Sequence, residues 1–187
     1  MPMQASRHRY TPIAQTIHWI IAVLIGIQFT LGWMQDDLPL GMRKLSLLAS
    51  HKSFGMTVLA LAVLRLAWRL FNPAPPLPEG MSNIERFLAR ATHIAFYLLL
   101  FAMPLTGWMM SSAKNYSVSW FGLFTWPNLI GPNDHWFELL KETHDLMSNV
   151  LFAIVILHIL AALKHHFWNK DDVLKRMLPF TKTETRS

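Results

Sequence analysis

Four histidines stand inside apolar segments of the chain: His18 in 13–34, His51 in 46–70, and His144 and His158 in 143–167. Imidazole is a common metal ligand, and an ionisable side chain at membrane depth is costly without a partner. Each is therefore a candidate functional residue. His144 and His158 are fourteen residues apart. At about 1.5 Å and 100° per residue, they lie roughly 21 Å apart along one helix and nearly on one face. That spacing suits two flat iron cofactors held one above the other across a bilayer. A single buried histidine is ordinarily a hydrogen-bonded core residue. Four of them at two matched depths are harder to explain in that way.

The elements that position them are apolar runs at 13–34, 46–70, 90–112 and 143–167, each long enough to span a membrane with some tilt. Of the 187 residues, 52% are hydrophobic and only 15% charged. The first run is too long for a signal peptide, and Gln35, Asp36 and Asp37 follow it in place of a small-residue cleavage site. Short connections between four spans predict an all-α, integral-membrane, up-down-up-down four-helix bundle, one domain over 1–187, with cofactor sites between facing helices. The proline-rich 72–80 cannot be helical. Residues 115–142 read as a long loop, with 133–142 as a short interfacial helix leading into the last span. Most of the eight tryptophans read as belts at the two interfaces.

Charge gives the orientation. The formal charge of +6 is not a nucleic-acid signal, because the basic residues gather at span ends. Arg7, Arg9, Arg65, Arg69, Arg86, Arg90, Lys164, Lys170, Lys175, Arg176, Lys182 and Arg186 fall on one side. Arg43, Lys44, Lys52, Lys114 and Lys141 fall on the other. The positive-inside rule then puts both termini in the cytoplasm, and the basic tail can meet anionic lipid. Cysteine is absent, which excludes disulfides, iron–sulfur clusters, thiolate-bound haem and covalent c-type attachment.

Depth pairs the histidines. His18 and His158 fall at the inner level, His51 and His144 at the outer level, and each pair can offer one imidazole to each face of a porphyrin iron. Gly55, one turn inward of His51, lets a flat ring approach the backbone; ordinary small-residue packing is the plainer reading. Arg65, fourteen residues past His51, reaches the inner level, where it either pairs with propionates or snorkels. Lys52 and Lys141 are the corresponding outer cations, with solvated charge as the plainer reading. His93 is the rival inner ligand; otherwise it bonds a propionate, a carbonyl or a quinone. Pro104 is expected to kink the third span, with Thr106 and Gly107 accommodating the freed backbone group.

The segments TIHWIIAVLIGIQF, HKSFGMTVLALAVLRLAWR, THIAFYLLLFAMPLTGWMMS, ETHDLMSNVLFAIVILHILAALKHHF and DDVLKRML together resemble the bacterial dihaem cytochrome b-561 family, related to the b-type subunits of nickel-iron hydrogenases. The likeness covers about residues 8–178. It implies an inner-membrane protein with two non-covalent b haems and His18, His51, His144 and His158 as axial ligands. It also implies electron exchange with ubiquinone, with superoxide as a candidate outer donor. His165, two turns past His158, and Thr16, just before His18, are the residues offered to a quinone carbonyl; an interfacial polar role is the plainer reading for His165. Lys141 would favour approach of a small anion.

Three function classes follow: a quinone-linked oxidoreductase, an electron-transfer subunit docked to a partner redox protein, and a membrane protein in which the histidines hold bare ions. The last calls for carboxylate ligands, and apart from Asp145 near the start of the fourth span the spans contain neither Asp nor Glu.

Overall fold

The computed structural model describes residues 9–78 and 80–179. Its frame is four helices: α1 (Pro12–Asp36), α2 (Met42–Phe71), α3 (Asn83–Ala113) and α4 (Asp134–Lys164). All four are long and apolar enough to cross a membrane. Three of the four helices start on a side-chain cap. Thr11 caps α1, accepting a hydrogen bond from the Ala14 N–H, and Pro12 follows at the first helical position. Ser82 and Glu85 form a capping box on α3. Asn133 caps α4 through the Trp136 N–H.

The helices exceed the apolar runs because polar first turns continue them. α4 begins at Asp134, nine residues before the apolar run, so 133–142 is the first part of α4 and not a separate interfacial helix. Beyond Lys164 the chain widens into a π-turn, His165–Asn169, ended by Lys170 in the left-handed region (φ 52°).

α1 packs against α2, α2 against α3, and α3 against α4; α1 and α2 have no comparable backbone packing against α4. The buried core reflects this: Ile21, Leu24, Val58, Ala62 and Leu100 belong to α1, α2 and α3 only. α4 meets α1 through large side chains, with Phe152 edge-on to Phe29 and Trp33. A wide seam therefore runs between α4 and the α1–α2 pair.

The α3–α4 connection was expected to be loop throughout. It contains an antiparallel pair, β1 (Val118–Trp120) and β2 (Phe124–Trp126). Phe121 (φ 50°) and Gly122 (φ 76°) are the two central residues of its turn, a conformation hairpin turns favour. Ser53 of α2 pins the hairpin, donating to the Ser119 carbonyl and accepting from the Phe121 N–H. Trp120 donates to Thr57 Oγ1. The loop closes on α4 through Lys114 and Asp134, 2.7 Å apart, and the carboxylate keeps the ammonium protonated to higher pH than a free lysine.

Both described ends of the chain meet at the other end of the bundle. Arg9 donates to the Leu178 carbonyl, Gln15 to that of Arg176, and Trp19 to that of Met177. Arg176 reaches the Pro76 carbonyl, and Trp68 donates to the Thr11 hydroxyl at 2.8 Å. This terminal end is the one expected to be cytoplasmic; Arg7, Lys182 and Arg186 of the charge pattern lie outside the described residues.

Candidate cofactor site

The wide seam is where the histidines converge. At the terminal end, the ring centroids of His18 on α1 and His158 on α4 stand 6.3 Å apart, with planes at 71°. At the hairpin end, those of His51 on α2 and His144 on α4 also stand 6.3 Å apart, with planes at 69°. Two imidazoles on opposite sides of one metal, each with a metal–nitrogen bond of about 2 Å, have centroids roughly 6 Å apart. Both pairs meet that requirement. All four rings are half-buried, as befits side chains lining a gap and not a closed core.

His93 on α3 also comes to His158, at 6.2 Å and 71°. Spacing alone therefore leaves two partners for His158. Packing separates them. α3 and α4 lie closely side by side, whereas α1 and α4 do not; a flat macrocycle needs the wider gap, which His18 and His158 straddle. His93 is exposed, and its ring faces the Ala89 carbonyl one turn back. Phe96 covers another edge of His158, 5.2 Å between centroids.

Arg65 arrives at the terminal level, within electrostatic reach of His18, His93 and His158. Its Nη1 donates to the Ala14 carbonyl at 3.0 Å. That carbonyl lies one helical turn before His18, so the guanidinium braces the turn that presents the ligand. Tyr97 also faces Arg65. Lys52 is directed elsewhere: its ammonium donates to the Ser117 carbonyl at 3.3 Å and lies over the Tyr116 ring. Lys141 is exposed.

Other expectations shift. A Cβ on Gly55 would come 3.0 Å from Gln28 Nε2, so an amide occupies the approach read as open to a ring. Gln28 Oε1 and His51 Nδ1 are both buried and make no hydrogen bond, although the Gln28 backbone faces the His51 ring. Such unsatisfied polar atoms mark a place that something further completes.

Thr16 and His165 are not drawn to a shared spot beside His18. Two residues along a helix is roughly 200° of rotation, so Thr16 points away from His18 and is exposed. His165 is buried, with Nδ1 held by Asp171 and Asn169. Nor does Thr106 cover the carbonyl that Pro104 frees, which is that of Leu100, four residues back. The Thr106 hydroxyl lies on the carbonyls of Ala102 and Met103, and it meets His144 Nδ1 at 3.1 Å. Beside it, a Cβ on Gly107 would stand 3.3 Å from His144 Cε1. The two residues adjoin the His144 ring, a neighbourhood their sequence position did not reveal. The one available signal was a hydroxyl and a glycine facing the seam at the depth of His144.

Among the described residues, no three His, Asp or Glu side chains are grouped to hold a bare metal ion. The arrangement instead brings histidine rings together in pairs at two depths.

Comparison with known proteins identifies the family. A family profile described as prokaryotic cytochrome b561 matches residues 9–180. Cytochrome b561 homolog 2 of Escherichia coli K12 is 36% identical over 172 residues, 91% of each chain. The probable superoxide oxidase CybB of Yersinia pestis is 30% identical over 171 residues, 91% of this chain and 96% of that one. Cytochrome b561 homolog 1 of E. coli K12 is 28% identical over 177 residues, 92% and 98% respectively.

Proposed function

The chain belongs to the prokaryotic cytochrome b561 family, and on that premise we propose that this multi-pass membrane b-type cytochrome holds two haems and moves electrons across the bilayer to membrane quinone. The observation that supports this most strongly is the repeated 6.3 Å imidazole pair, once at each end of the seam. His18 and His158 hold the group at the terminal level; His51 and His144 hold the group at the hairpin level. Bis-imidazole b haem supplies one-electron redox chemistry with no open coordination position.

The remaining work belongs to the chain itself. Arg65 braces the turn of α1 before His18 and provides positive charge for propionates at that level. Phe29 and Trp33 of α1 meet Phe152 of α4 edge-on, and Phe96 of α3 packs against His158, so the surroundings of the seam are apolar. The basic residues around the terminal end support a cytoplasmic orientation for that end, with ubiquinone as the acceptor there. His93 is exposed beside His158 and is better situated than Thr16 or His165 to donate a hydrogen bond to a quinone carbonyl.

On the hairpin side the donor is small or is a protein. The name of the Yersinia pestis relative points to superoxide, and the exposed Lys141, one turn before His144, would draw an anion. A second reading, an electron-transfer subunit docked to a redox protein, is favoured by the exposed apolar side chains of Phe121, Leu123 and Phe124 on the hairpin. Visible spectroscopy of the purified protein separates the two. Reduction of the haem bands by superoxide, followed by reoxidation with ubiquinone, is expected for the oxidoreductase. No response to superoxide, quinol or quinone would leave the docked subunit.

A further inference from the structure

The two imidazoles at the hairpin level differ in their support. His51 Nδ1 is buried without a hydrogen bond. His144 Nδ1 meets the Thr106 hydroxyl at 3.1 Å. That hydroxyl has one proton and lies 2.9 Å from the Ala102 carbonyl and 2.9 Å from the Met103 carbonyl. Carbonyls only accept, so a hydroxyl proton placed on them leaves the oxygen a lone pair for His144. In that arrangement the hydrogen bond runs from His144 Nδ1–H to Thr106 Oγ1. A neutral imidazole protonated at Nδ1 presents Nε2 as its ligand nitrogen. Gly107, whose missing side chain leaves His144 Cε1 room, fixes the ring from the same helix.

We infer that Thr106 is a positioning residue for His144: its hydroxyl selects the ligating tautomer and, by accepting the Nδ1 proton, makes His144 a stronger donor than His51 toward the haem at the hairpin level. The inference rests on the dihaem reading above. An imidazole whose far N–H is hydrogen-bonded gains basicity. A more basic ligand stabilises ferric over ferrous iron, so Thr106 holds this haem's midpoint potential down. It does so on one haem only, because no hydroxyl is bonded to His158 among the described residues.

The test is a spectroelectrochemical titration of Thr106→Val and Thr106→Ser in the purified holoprotein, with haem content measured on the same samples. Thr106→Val keeps the shape and removes the acceptor. The expected result is two haems per chain, an upward shift in one of the two potentials, and the other unmoved. The shifted step should be the one that persists in His158→Ala. Thr106→Ser should return the wild-type potential. The low-spin EPR signal of the affected haem should change with it, because that signal follows the relative orientation of the imidazole planes.

If Thr106→Val loses haem, Thr106→Ala, which leaves more room, carries the same expectation. Loss of the hairpin-level haem from both variants, with Thr106→Ser intact, still supports the positioning role. Two haems at wild-type potentials in either variant would overturn the inference: the Met103 carbonyl, which also faces the ring, would then suffice. A shift shared by Thr106→Ser, or one falling on the other haem, would overturn it too. A wild-type protein without two haems would instead sink the dihaem reading.

Discussion

His158 faces two imidazoles at nearly equal distance, His18 at 6.3 Å and His93 at 6.2 Å, and only the separation of their helices tells them apart. The consequence is asymmetric. His158→Ala and His18→Ala should each remove the terminal-level haem and leave the hairpin-level haem, read as half the pyridine haemochrome of the wild type. His93→Ala should retain both haems while weakening quinone reoxidation. Loss of a haem in His93→Ala, with His18→Ala unaffected, would reverse the pairing. The two ring pairs, at 71° and 69°, also predict low-spin EPR signals of the strongly anisotropic kind that crossed imidazole planes give; rhombic signals of parallel planes would contradict the geometry. At this scale the sequence was informative about which histidines share a depth and meet, because depth follows from helix rise and direction. It offered Thr106 only as a partner for the carbonyl freed by Pro104, whereas the hydroxyl meets His144 on the neighbouring helix; Thr16, near His18 along the chain, lies on the opposite face of α1.

Each helix does its positioning through its ends and its small residues. α1 presents His18 from a start secured by Thr11, which accepts both the Ala14 N–H and the Trp68 indole. Thr11→Ala removes the one oxygen that accepts both bonds and should cost about 1–2 kcal/mol, seen as a lower melting temperature in detergent with the haem at the terminal level lost first on heating. α3 presents its Gly107 to His144. Alanine would normally favour a helix interior, but here its Cβ would stand 3.3 Å from His144 Cε1 and the ring would have to yield by a few tenths of an ångström. Gly107→Ala should therefore perturb the spectrum of the hairpin-level haem alone; spectra unchanged at both levels would show that the ring has slack. Helix cores were legible from hydropathy; the caps Thr11, Ser82 and Asn133 were found in the structure, although their residue types suit a helix start. The early start of α4 was not legible, because its first turns are polar. The hairpin escaped notice for another reason: its strands are three residues each, and they are held by Ser53 and Thr57 of a distant helix more than by any alternation of their own.

Across the whole molecule, the bundle is asymmetric by construction. α1, α2 and α3 share a buried apolar core, while α4 stands across a seam bearing a histidine at each end. Bound cofactor would supply the packing that α4 lacks against α1 and α2, so the apoprotein should melt at markedly lower temperature than the haem-loaded form. Charge sets the orientation: a reporter that fluoresces only in the cytoplasm, fused after Ser187, should light up, and a periplasm-dependent phosphatase at the same point should stay inactive. The most direct test of the account is the pyridine haemochrome stoichiometry of folded, detergent-extracted protein. Two protohaems per polypeptide chain are predicted. One or none, in protein whose helices are intact by circular dichroism, would contradict paired imidazoles at both levels.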